Sequence, residues 1–160
     1  MQGVRIIVDA SDIAGLITRL MVLDTFDSEQ LMTDISAIGE SQTRRRIEEE
    51  KTAPDGTPWP PNAEGTSILL QTGRNLRDSV ASGATAAQAE WGASWEFAHV
   101  HQDGAVISAK SAAGLRFNIG GTWRRAASVT IPARQFVGIS AENATEIEAH
   151  TTDFLRGLLQ

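Results

Sequence analysis

Between Pro54 and Pro61 the chain reads Pro-Asp-Gly-Thr-Pro-Trp-Pro-Pro, which holds four of its 5 prolines and one of its 4 tryptophans. Proline fixes φ and removes a backbone donor, so these residues can form neither a helix interior nor a central strand. The segment must be an ordered turn or an extended arm. It follows directly on Arg44-Arg45-Arg46-Ile47-Glu48-Glu49-Glu50-Lys51, which reads as the end of a helix. Trp59 is unfavourable to leave in water. A rigid loop carrying one large aromatic docks either on its own core or on a neighbouring subunit, and the sequence leaves both open.

Periodicity lays out the rest. Val4, Ile6 and Val8 alternate as in a short first strand. Ile13, Leu16, Ile17, Leu20 and Leu23 share one helical face behind a cap at Ser11 or Asp12. Ser28 is placed to cap a second, longer helix that runs to about Lys51, with Leu31, Ile35, Ile38 and Gln42 as its stripe. Gly39 interrupts that stripe or lets another backbone come close. Past the proline loop, Asn75–Ser79 reads as a helical turn, Val80–Ser82 and Ala89–Trp91 as weak strands, and Glu96–Val100 as a short helix ending near Gly104. Residues 105–126 are expected to be a loop or long hairpin with one strand at Leu115–Ile119, and Val129–Ile131 is a strand stopped by Pro132. Ser140 caps a last helix whose apolar face is Ala144, Ile147, Thr151, Phe154, Leu155 and Leu158. The order predicts an α+β fold in one domain over 1–160. An antiparallel sheet packs on a long helix in the N-terminal half and on a C-terminal helix, with extended loops at 52–68 and 105–126.

With 160 residues, 41% of them apolar, the chain is long enough for a real core. A formal charge of −6 argues against gripping nucleic acid through a basic surface. The absence of cysteine excludes disulfides, cysteine zinc sites and thiol nucleophiles. The N-terminus lacks a signal-peptide layout, and the apolar run at Ile13–Leu23 is far short of the roughly 20 residues needed to span a bilayer. His99, His101 and Asp103 are the one grouping that resembles a metal site. They share a face in a strand, but i,i+2 spacing points them apart in a helix. No nucleophile elbow, phosphate loop or dinucleotide fingerprint is present. The expectation is therefore no enzyme, no cofactor and no metal. Arg44, Arg45 and Arg46 pair with the following glutamates as a solvated face or an intersubunit contact. Trp91, Trp95 and Trp123 are core or interface anchors.

Four segments in order then carry a resemblance: Pro54-Asp55-Gly56-x-x-Trp59; Leu70-x-Thr72-Gly73-x-x-Leu76-x-x-Ser79; Phe97-Ala98-His99-Val100-His101-Gln102-Asp103-Gly104; and Ile131-Pro132-Ala133-Arg134-Gln135-Phe136-Val137-Gly138. Over about residues 30–158 the chain resembles the phage virion morphogenesis family, which includes morphogenesis and tail completion proteins of temperate phages. Phe97, Asp103 and Gln135 depart from the residues common at those positions.

The resemblance implies a structural protein of a tailed phage. Its place would be the head–tail junction or tail top, as a head–tail connector or tail-completion subunit assembled in the bacterial host. It would form a homo-oligomeric ring, hexameric with twelve-fold possible, and touch other neck, tail or portal-side proteins, with no membrane partner. DNA would pass without sequence-specific binding, and an acidic lumen would keep it mobile. Candidate contacts are Trp59, Trp123, Arg124 and Arg125 with Arg44, Arg45 and Arg46. Arg134 is expected to fix the turn before the last helix. As a contact, Trp59 would be dispensable for folding of the monomer. The rival readings are a capsid assembly factor absent from the mature particle and a small metal-dependent hydrolase built on His99, His101 and Asp103.

Overall fold

The computed structural model describes residues 11–24, 26–70 and 75–159. The first strand expected at Val4–Val8 and the Thr72-Gly73 pair lie outside the described residues. Helix α1 spans Ser11–Val22 and α2 spans Ser28–Arg45. The cap of α2 is Asp27 rather than Ser28: its Oδ1 accepts from Gln30 N at 3.1 Å, so helical geometry already begins at Ser28. Beyond Arg45 the helix widens into one π turn, Arg46–Glu50, closed by the bond from Lys51 N to Arg46 O at 3.1 Å. Lys51 ends the helix in the left-handed region, φ 56°, and its Nζ donates to the carbonyls of Ile47 and Ile68. The long helix thus reaches Glu50, as its periodicity predicts.

Among the described residues the strands form three separate two-stranded antiparallel ladders. β1 (Val80–Thr85) pairs with β2 (Gln88–Ala93), with Val80 opposite Ala93. This ladder lies against α2. Gly39 makes that packing possible, because a Cβ there would sit 2.3 Å from the Trp91 ring. Of the two roles the sequence allows Gly39, close approach is the one realised, with a side chain rather than a backbone as the neighbour. Helix α3 (Ala98–Asp103) separates β2 from β3 (Ala105–Ser108) along the chain, and β3 pairs with β6 (Ser128–Ile131). Between them, β4 (Leu115–Ile119) and β5 (Thr122–Ala126) make a hairpin turning at Gly120-Gly121, φ 55° and 81°. Residues 105–126 therefore hold two more strands than the one expected. β5 escapes a periodicity reading because Thr122, Trp123, Arg124 and Arg125 are all exposed.

Helix α4 (Ala141–Leu158) starts at the Ser140 cap the sequence predicts. Ser140 Oγ accepts from Asn143 N at 3.1 Å and Asn143 Oδ1 accepts from Ser140 N at 3.2 Å, a reciprocal capping box. α4 packs on α2, where Gln42 Nε2 donates to Glu146 Oε2 at 2.7 Å and Asp34 meets His150 at 3.2 Å. Phe154 meets Phe26 edge-on at 6.4 Å, which ties the last helix to the turn before α2.

The buried core is Ile47, Trp59, Leu76, Val80, Ala98 and Phe136. It gathers residues from the end of α2, the proline loop, the turn before β1, the start of α3 and the segment before α4. By contrast, the apolar face of α1 is largely exposed at Leu16, Ile17, Leu20 and Met21. Replacing Gly39 with alanine sets two effects against each other. Helix propensity favours Ala by about 1 kcal/mol, whereas forcing a methyl into the Trp91 ring costs about 1–3 kcal/mol. The clash is with a large packed ring, so Gly39→Ala is expected to lower the urea midpoint; an unchanged or raised midpoint would show that Trp91 moves freely.

Candidate functional site

The four sequence segments meet in one place. Trp59 is 5% exposed; its N donates to Lys51 O at 2.9 Å and its indole Nε1 to Gln135 O at 3.1 Å. The preceding Pro-Asp-Gly turn is held by Ala53 N to Thr57 O at 2.8 Å and by Asp55 Oδ1, which accepts from Thr57 N at 2.9 Å. Arg134, 6% exposed, donates to Pro60 O at 2.9 Å and Pro61 O at 3.1 Å, while its own N donates to His101 O at 2.7 Å. Gln102 Oε1 accepts from Phe136 N and Val137 N, and its Nε2 donates to Val137 O. Gly138 lies so near Pro54 that a Cβ would come within 2.5 Å of its ring. Leu76, from the second segment, joins the same core. The proline loop is thus fastened by backbone carbonyls of the chain's own turns, because prolines supply no amide donors and offer only acceptors.

This arrangement corrects two candidate contacts. Trp59 is a core residue anchored in its own chain, so folding is expected to need it. Arg46 is 1% exposed and belongs to the same interior. Its Nη1 donates to Phe136 O and Gly138 O, both at 3.1 Å, and its Nη2 to Asn143 Oδ1 at 2.6 Å. Glu50 Oε2 lies 3.6 Å from its Nε. Burial pulls the Arg46 guanidinium below the usual arginine range, opposed by the charge of Glu50. The Arg-Arg-Arg run hid this split, since three adjacent arginines on a helix point in three directions. Arg44 turns outward, ion-pairs with Glu40 at 2.9 Å and donates to Val80 O at 2.7 Å, which ties α2 to β1. Arg45 bonds Glu50 at 2.8 Å, and this bond, with the charges of Glu50, Glu146 and Glu142, raises its pKa.

The remaining candidates lie together on the β4–β5 hairpin. Trp123 is 67% exposed, with the Arg116 guanidinium 5.7 Å from its ring centroid. Arg125 donates to Ala112 O at 3.0 Å, and Arg124 is exposed opposite Phe117. Sequence reasoning missed Arg116; its alternation with Leu115 and Phe117 was the available signal. The inner face of the hairpin, with Leu115, Phe117 and Ile119, lines a cavity of about 640 Å³ shared with Ile107, Val129 and Ile131. Among the described residues no carboxylate lines it, and Arg134 at its wall is committed to the proline carbonyls.

His99, His101 and Asp103 lie on α3 and do not converge; among the described residues no group of three potential ligands does. His101 stacks on Trp95 at 5.7 Å, with its Nδ1 buried and unpaired. Burial, then the charge of Arg134, lowers its pKa from 6.5. Its neutral form is the one the fold accepts, so its contribution to stability is full above about pH 6.5 and is lost as pH falls through the lowered folded value. Urea titrations across this window should show a smaller acid-side loss for His101→Gln than for the parent; identical slopes would place the ionisation elsewhere. Trp59→Ala should lower unfolding free energy by about 3–5 kcal/mol, read by the same method, and a loss under about 1 kcal/mol would return Trp59 to the surface.

Among the described residues no helix is long and apolar enough to cross a membrane. Comparison with curated proteins and with solved structures finds no match for the chain. The model of the phage virion morphogenesis family does match, over residues 8–156, a span that includes all four segments, the buried arginine and the hairpin. The four segments contribute Trp59, Leu76, Ala98 and Phe136 to the core, and the chain belongs to the phage virion morphogenesis family.

Proposed function

We propose that this virion-associated protein, whose family gives it a structural or assembly role in the phage particle, is a head–tail connector or tail-completion subunit. It works as a homo-oligomeric ring at the head–tail junction or tail top, touches neighbouring neck, tail or portal-side proteins, and lets DNA pass. The observation that carries the reading is the family match over residues 8–156, nearly the whole chain. Three features support it. The chemistry-bearing residues of α3 diverge, which favours a structural over a catalytic role. The exposed Trp123 hairpin and the exposed apolar face of α1 offer surfaces for neighbours. The net charge of −6 suits a ring whose bore does not retain DNA.

The test is a nonsense mutation in the gene within its parent phage, with purified wild-type particles analysed by mass spectrometry. The expected result is DNA-filled heads and tails that fail to join stably, and the protein present in wild-type virions at ring-like copy number. Presence during assembly but absence from the finished particle would instead establish the capsid assembly factor.

A further inference from the structure

Charge in this chain is segregated. Residues 104–141 contain Lys110, Arg116, Arg124, Arg125 and Arg134 and no Asp or Glu; all 20 acidic residues lie elsewhere, beside the other nine of the 14 basic ones. Arg134 is buried, so the exposed excess sits on and beside the β4–β5 hairpin, with Glu64 meeting it at the turn, where its Oε1 accepts from Gly120 N at 2.8 Å. In the hairpin register Arg116 faces Arg125 and Asn118 faces Trp123, which puts these four on one outward face. Two arginines opposite each other across an antiparallel pair repel. Among the described residues, none of Arg116, Arg124 and Arg125 is ion-paired. Trp123 projects beside them with 67% of its surface in solvent. An exposed tryptophan among unpaired arginines has the composition of an interface hot spot, and its complement is an acidic surface.

The chain itself carries such a surface. Where α2 ends and α4 begins lie Glu50, Glu142 and Glu146, all exposed; Glu50 bonds Arg45, Glu146 bonds Gln42, and the three carboxylates stand against the half-buried guanidinium of Arg45. Deepening the ring reading proposed above, on which it rests, we infer that the outward face of the β4–β5 hairpin docks on this acidic surface of a second copy of the chain. The contact joins two different surfaces, so it is head-to-tail, the type that closes into rings. A second copy fits better than a nucleic acid. The basic patch is confined to one hairpin of an acidic protein, whereas phosphate binding needs a broad cationic footprint.

Sedimentation velocity on the full chain at low and high salt tests the contact. The wild type should self-associate at low salt and dissociate as salt screens the charges. Arg116→Glu/Arg125→Glu and Glu142→Lys should each weaken association by at least about tenfold, with unchanged circular dichroism, and Trp123→Ala should do so without altering charge. An equimolar mixture of the two charge-reversed proteins should associate again, since each now complements the other. Wild-type protein that stays monomeric, charge variants that associate as the wild type does, or a mixture that stays apart would overturn the inference. So would a hairpin variant that remains oligomeric but loses binding to a DNA duplex, which would assign the arm to DNA. These outcomes leave virion membership untouched; absence from the virion would sink the connector reading without changing self-association.

Discussion

A guanidinium with 1% of its surface exposed must place its donors inside the protein, and where Arg46 places them determines how the rest of the chain is arranged. Two of its bonds go to the carbonyls of Phe136 and Gly138 and one to the side chain of Asn143. Those three acceptors lie in the segment leading into α4 and in the first turn of α4 itself. One side chain on α2 therefore fixes the approach of the last helix, about which the chain's distant halves are joined. Asn143 serves this bond and the capping box at once, so the start of α4 and the burial of Arg46 depend on each other.

The proline loop is the second half of the same construction. The π turn carrying Arg46 runs directly into Lys51 and the loop, and the loop returns across the segment that Arg46 holds. Trp59 bonds Gln135 O, one residue before the Phe136 carbonyl that Arg46 occupies, and Pro54 fills the space left by Gly138. Arg134 bonds the carbonyls of Pro60 and Pro61, and Gln102 bonds the amides of Phe136 and Val137 and the carbonyl of Val137. The result is an irregular region rigid through side-chain-to-backbone bonds rather than through a sheet. Such bonding suits a particle protein, in which loops must keep their shape without a continuous β scaffold behind them.

The exposed features have a different physical character. The outward face of the β4–β5 hairpin and the apolar residues of α1 make few demands on the monomer, and their composition is unfavourable for an isolated surface: apolar side chains in water and arginines facing arginines. The interior explains how one subunit folds. In the proposed ring, the hairpin and α1 are where assembly would draw its energy, because contact with a neighbour would remove apolar area from water and bring opposite charges together.

The sequence by itself determined the long helices and the family. Hydrophobic period placed α2 and α4, Ser140 announced its cap, and the order of four short segments was specific enough to name the family, because these features are local and written in adjacent residues. Tertiary structure alone decided what those residues face. Trp59 reads equally well as surface or interior and Arg46 as a surface residue, since a tryptophan in a proline loop and an arginine among arginines carry no local mark of burial. Only the carbonyls of Gln135, Phe136 and Gly138, distant in sequence, turn them inward. Likewise β3 and β5 lack alternation of their own and become strands through partners in register, β6 and β4. Strand pairing and buried polar bonds are non-local, whereas helix periods and caps are local; that difference separates what the chain states in order from what it acquires on folding.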